Sequence, residues 1–283
     1  MGGVLIGGCG DVGTALGVRL ARAGLAVWGL RRDPAGLPAP LIPVRADLTR
    51  PETLVHLPPE PDLVCYAAAA DGFSEPAYRA AYVTGVGNLI AALAGRPVRR
   101  FVFVSSTAVY AQADGEWVDE ASPTEPAGFS GACLLEGERL VLHGPFPGVV
   151  LRLGGIYGPG RTRLIEAARR GEPCAHEPPR YTNRIYRDDC AGALAHVLEM
   201  EAPEAVYLGV DHAPAPECEV MDWLADALGV PRPPRGDGRG RGSPQRGNKR
   251  CRNGRLVASG YRFRYPTYRE GYTALLHAQD VRP

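Results

Sequence analysis

The chain opens on a short apolar run, Val4-Leu5-Ile6, which reads as a buried strand and stops at Gly7-Gly8-Cys9-Gly10-Asp11-Val12-Gly13. Helical spacing follows from Thr14 to Ala23, with Leu16, Leu20 and Ala23 on one face and Gly24 closing it. Leu25 to Leu30 predicts a second strand. Further apolar runs of strand length come at 41–44, 63–66, 101–104 and 149–153, with helical patterns at Glu75–Leu93 and Leu134–Leu142 between them. Strands alternating with helices over residues 1–155 predict an α/β fold on a doubly wound parallel sheet. After that the pattern loosens. Helices are predicted at 163–170, 187–200, 218–228 and 268–277, a strand at 205–209, and a loop at 231–247, where Pro, Gly and Arg show no period. The expected division is a sheet domain over 1–155 and a smaller lobe over 156–283. That lobe is expected to lie against the sheet's carboxyl edge rather than fold alone.

Gly7, Gly10 and Gly13 fall between a strand and a helix, the setting a dinucleotide fingerprint requires. Such glycines let the backbone turn tightly and approach a pyrophosphate, whose charge meets the N-terminus of the helix at Asp11-Val12. NAD sites place an acid about 20 residues beyond the loop, on the ribose hydroxyls. Here the second strand ends in Arg31-Arg32-Asp33. Two guanidiniums suit a 2′-phosphate, so NADP is expected, with Asp33 keeping NAD as the alternative. Asp47-Leu48 is a candidate contact for the adenine. Ala67, Ala68 and Ala69 are small enough to let a cofactor lie close.

These motifs resemble the extended short-chain dehydrogenase/reductase family, a group with a Rossmann sheet. The match continues through Val104-Ser105-Ser106-Thr107-Ala108-Val109-Tyr110, Leu151-Arg152-Leu153, Ile156-Tyr157-Gly158-Pro159-Gly160 and Arg184-Ile185-Tyr186-Arg187-Asp188-Asp189. The loop Gly8-Cys9-Gly10-Asp11-Val12-Gly13, together with 114–120 and Phe129-Ser130-Gly131, is similar to an atypical subgroup labelled NAD-dependent epimerase/dehydratase. The resemblance implies a Ser/Thr–Tyr–Lys catalytic set, with the Lys four residues after the Tyr. It also implies Ser105 beside the cofactor and a homodimer packed through 75–93 and 134–142, although the small apolar residues of those helices would equally suit a monomer's core. Ser106 matches the serine, with Thr107 beside it. The Tyr and Lys positions fall at Phe129 and Cys133.

Composition confirms the loss. Of 32 basic residues one is lysine, Lys249, and Gln245 stands four positions before it, so no Tyr-x-x-x-Lys exists in the chain. Phenylalanine has no exchangeable proton, and cysteine supplies no fixed positive charge. Candidates for a replacement acid are Tyr110, Tyr157, Tyr186, and Cys133 if a helix start depresses its pKa. The acidic stretch Asp114–Glu120 is a further candidate, although such runs are more often solvated loops. Two functions stay open on this evidence: an enzyme acting on an anionic or nucleotide-linked small molecule, or a degenerate module that senses NADP(H) or another ligand.

Residues 231–255 carry nine basic groups and one acid. No aromatic interleaves them, so a small phosphate or carboxylate ligand fits better than nucleic acid. Arg161, Arg184 and Lys249 are the candidate substrate contacts, with Phe129 and Tyr157 lining the site. The formal charge of +1 gives the whole protein no electrostatic reason to seek nucleic acid or a membrane. No apolar run reaches the ~20 residues of a membrane-spanning helix, and the N-terminus reads as a strand rather than a signal peptide. Seven scattered cysteines without a Cys-x-x-Cys pair predict neither a disulfide framework nor a zinc site, and point to a reducing cytoplasm.

Overall fold

The apolar runs become one seven-stranded parallel sheet in the computed structural model, which describes residues 2–58, 60–236 and 247–280. Its strands are β1 (Gly3–Gly7), β2 (Val27–Arg31), β3 (Ile42–Arg45), β4 (Pro61–Tyr66), β5 (Arg100–Ser106), β6 (Gly148–Leu153) and β7 (Val206–Gly209). They lie in the order β7-β6-β5-β4-β1-β2-β3. Every residue of β1 is buried, which is why it reads as a continuous apolar run rather than an alternating one. β3 is the edge, and it tolerates Pro43 there because an edge strand can forgo one amide. The strand order reverses at β1, between β4 and β2, so a crevice opens at the carboxyl ends of β1 and β4, where such sheets bind ligands.

The helices that bear on the site are α1 (Asp11–Arg22), α2 (Glu75–Arg79), α3 (Gly85–Ala92) and α4 (Phe129–Leu142). α4 starts five residues before the predicted Leu134, because Ser130, Gly131 and Ala132 carry no apolar period. Gly131 is required there, since a Cβ would run into the Ala108 carbonyl and the Pro126 ring. The predicted helix over 75–93 is interrupted by a π-turn at Ala80–Thr84. The Gly85 amide bonds to the Ala80 carbonyl five residues back. The Ala81 carbonyl accepts the Tyr66 hydroxyl instead.

The chain forms two compact units. The first comprises 1–109, 124–152 and 190–207, and holds nearly all of the large sheet. The second comprises 110–123, 153–189 and 208–283. The second unit's core gathers Tyr157, Ile165, Tyr186, Met221, Leu224, Tyr268 and Tyr272. Its helices include α5 (Arg163–Arg169), α7 (Glu217–Leu228), α8 (Gly254–Ala258) and α9 (Tyr268–Asp280), while α6 (Arg187–Glu199) runs mainly in the first unit.

Three differences from the sequence-based expectations stand out. Lys249–Cys251 is a strand, paired in parallel with Glu116–Val118. Arg235–Gly236 pairs with Cys174–Ala175, so part of the predicted loop is ordered pairing, and 237–246 lie outside the described residues. Cys174 is disulfide-bonded to Cys218, contrary to the reading of scattered free thiols. The fold brings together two cysteines 44 residues apart, which no local spacing announces. Among the described residues no helix is long and apolar enough to cross a membrane.

Candidate cofactor and active site

The turn from β1 into α1 uses its glycines for separate reasons. Gly8 has φ +82°, and a Cβ there would overlap the Ala68 backbone. A Cβ on Gly13 would sit 2.9 Å from the Gly8 carbonyl, so helix and loop close up only without one. Gly10 has nothing within 4 Å of its Cβ position. The Gly8 and Cys9 amides both donate to the Leu30 carbonyl, at 3.0 and 2.9 Å, which ties the loop to the end of β2. Gly7, Val12 and Gly13 are buried beneath the loop, whereas Gly10 and Asp11 face solvent. The N-terminus of α1 has no side-chain cap. Open space above Gly10 and a helix start that takes no side-chain cap from Gly10 fit the pyrophosphate of a dinucleotide.

Beside this cradle, Arg31 donates to the Cys9 carbonyl at 3.4 Å, and Arg32 holds Asp71 in a two-pronged pair of 2.7 and 2.6 Å. Asp33 faces Arg45 at 3.7 Å. Asp47 accepts from the Thr49 amide and hydroxyl, at 2.9 and 2.7 Å. Burial opposes its ionisation, yet the Thr49 bonds hold the carboxyl below its ordinary pKa. Leu48 is buried, and its carbonyl accepts from Asn88 at 2.9 Å. The alanine run leaves β4 with the Ala67 amide donating to the Gly7 carbonyl at 2.7 Å, and Ala68 lies against Gly8.

At the end of β5 the two serines diverge. Ser105 is buried and donates to Glu138 of α4 at 2.6 Å, while Glu138 also takes Arg152 of β6 at 2.7–3.2 Å. This buried triad joins β5, α4 and β6 and fixes the strand end. Ser106 and Thr107 are half-buried, and the Ser106 hydroxyl accepts from the Ala108 amide at 3.2 Å. Phe129 heads α4 with Cys133 one turn on. The Phe129 ring lies 5.1 Å from Phe73 and 5.4 Å from Tyr78, and Tyr78 lies 5.3 Å from Tyr82. Burial pushes the Cys133 thiol up despite the nearby Arg79 guanidinium, opposite to the depression a helix start would give. Sequence reading missed Glu138 and the Tyr78/Tyr82 pair. Their signals are an acid on an otherwise apolar helix face and two tyrosines at i, i+4.

The remaining candidates belong to the second unit. Tyr110 is buried and donates to the Asp119 carbonyl at 2.8 Å. Tyr157 is a core residue, 4.5 Å from Tyr272 and 5.3 Å from Tyr186, and burial raises its pKa. Arg184 is buried, with its guanidinium over the Tyr268 ring at 5.9 Å. Lys249 is buried and donates to the Tyr110 carbonyl at 3.0 Å, and burial lowers the pKa of its ammonium. Arg161 is exposed in the turn after Tyr157. Burial pushes Asp211 up to about 7, against the Ala213 amide and Arg184.

Comparison with known proteins adds the chemistry of relatives. Residues 4–209 match the NAD dependent epimerase/dehydratase family. A Methylobacillus flagellatus structure classed with NAD-dependent epimerases/dehydratases is 40% identical, covers 99% of both chains and superposes with a TM-score of 0.83. Protein YeeZ of Escherichia coli K12 is 28% identical over 93% of this chain and 96% of its own. MoeE5, solved in complex with UDP-glucose and NAD, is 25% identical over 99% of both chains with a TM-score of 0.79. A second MoeE5 structure holds UDP-glucuronic acid and NAD. The NADP expectation is corrected here. Both MoeE5 structures were captured with NAD, and the guanidiniums assigned to a 2′-phosphate are engaged, Arg32 by Asp71 and Arg31 by the Cys9 carbonyl.

Proposed function

The chain belongs to the NAD dependent epimerase/dehydratase family and is an enzyme of that type, and on this premise we propose that it works with NAD on a nucleotide-linked, UDP-sugar-like small molecule. The observation that carries the reading is the open Gly10 position at the start of α1. Gly7, Gly10, Asp11, Val12 and Gly13 form the pyrophosphate cradle. Arg31, Arg32, Asp47 and Leu48 border the adenosine, and Ala67, Ala68, Ala69 and Ser105 border the other half of the dinucleotide. When bound, NAD supplies a place for a hydride taken from a substrate carbon. The chain's own part is to hold the oxygen on that carbon, a task that falls to the Ser106 and Thr107 hydroxyls, and to manage its proton.

Calorimetric titration of NAD and NADP, followed by UDP-glucose or UDP-glucuronic acid into the NAD complex, tests this. Expected are NAD binding tighter than NADP, sugar-nucleotide binding, and loss of turnover in Ser106→Ala. Failure of NAD to bind, or an NAD complex that converts no sugar nucleotide, would overturn it.

A further inference from the structure

Phe129 has no proton to exchange and Cys133 no cation, so the proton must be handled from elsewhere. We propose that Tyr82, displayed by the π-turn beside α4, is the group that gives and takes the proton at the substrate oxygen; this rests on the NAD reading above. The turn is built for display. The Tyr66 hydroxyl occupies the Ala81 carbonyl that a regular helix would bond to the Gly85 amide, and Gly85 has no Cβ to collide with that hydroxyl. Single π-turns of this kind recur at functional sites. Tyr82 lies within it, half-buried. Its backbone carbonyl packs where a Cβ on Gly137 would stand, one turn past Cys133 on α4. Its ring continues the row from Phe129 through Tyr78.

The backbone amide of Ala70 faces the Tyr82 phenol and stabilises its anion. Ala70 ends the alanine run that leaves β4 beside the glycine loop, so this phenol borders the cofactor side of the first unit. The titratable groups facing it are Tyr78 on its own segment and Tyr66 from β4. Burial keeps the phenol protonated, and burial likewise pushes the Tyr66 hydroxyl up. A positively charged nicotinamide nearby would favour the anion. In the oxidative direction the phenol first releases its proton to solvent, and the phenolate then takes the proton of the substrate oxygen. The hydride leaving that carbon goes to bound NAD as its acceptor. In the reductive direction the phenol returns the proton while the carbon regains the hydride from the reduced cofactor.

Fluorine NMR of the full chain carrying 3-fluorotyrosine at position 82, titrated with pH with and without saturating NAD, is the test. The analogue is nearly isosteric, so folding is preserved. The same label at position 78 is the control. Expected is that NAD moves the midpoint at position 82 down by about one pH unit, and moves position 78 less. NAD bound with no movement at position 82 overturns the proposal and leaves the cofactor reading intact. A larger movement at position 78 overturns it in favour of Tyr78. Absence of NAD binding overturns both.

Discussion

Gly10→Ala separates binding from folding at the glycine loop. The added methyl meets nothing within 4 Å, and Gly10, at φ −85° and ψ −147°, sits outside the left-handed region but at the edge of the extended one, where alanine is held less easily than glycine. Two small effects on stability oppose each other. A reduced unfolded-state entropy gains about 0.4–1 kcal/mol. A poorer N-cap costs a comparable amount, because glycine outranks alanine there. With the backbone at that edge, the net change is expected to be a loss of at most about 1 kcal/mol. The same methyl stands where the pyrophosphate approaches the start of α1, so NAD affinity should fall at least about tenfold, or 1.4 kcal/mol. Gly8→Ala should behave oppositely. At φ +82°, with its Cβ over the Ala68 backbone, it should lose about 2–5 kcal/mol of stability. Urea denaturation reads the first quantity and calorimetry the second. A Gly10→Ala protein that binds NAD within twofold of wild type would refute the argument, because the open space would then not be where the cofactor sits.

Glu138→Gln leaves the buried Arg152 charge without its carboxylate, and should cost about 3–5 kcal/mol in urea denaturation; a cost under about 1 kcal/mol would mean water already reaches the pair. Reducing the Cys174–Cys218 bridge, which closes a 44-residue separation, should lower stability by about 2–4 kcal/mol. A melting curve indifferent to reductant would contradict it. Asp211 should make stability pH-dependent. Its carboxyl loses its proton near 3.8 when unfolded but holds it to about 7 when folded. The stability it contributes is therefore complete below pH 4, falls as pH rises to about 7, and is flat above. That difference is worth about 4 kcal/mol at most. Denaturation at pH 5 and pH 8 should show about 2.7 kcal/mol of this loss in wild type and none in Asp211→Asn.

What could be read from the chain follows from how local each signal is. β1 was legible because a strand buried on both faces is apolar throughout, and the loop after it because its glycines sit at fixed offsets from that strand. The fold class followed from those elements and their alternation. The pairing of Lys249–Cys251 with Glu116–Val118 was not legible, since each strand is three residues long and mixes charge with apolar side chains. The cofactor choice failed for a related reason. Arg31-Arg32 looked like a phosphate site until the fold delivered Asp71 to Arg32 from 39 residues away. The proton site shows the same limit. Reading one helix at a time reveals that Phe129 and Cys133 lack what a relay needs. The feature that bears on a replacement is a hydroxyl on β4 opening a different helix, 15 residues further on. Local spacing can therefore report that a catalytic group is absent from its usual place. Only the packing of β4, the π-turn and α4 against one another indicates where another group stands.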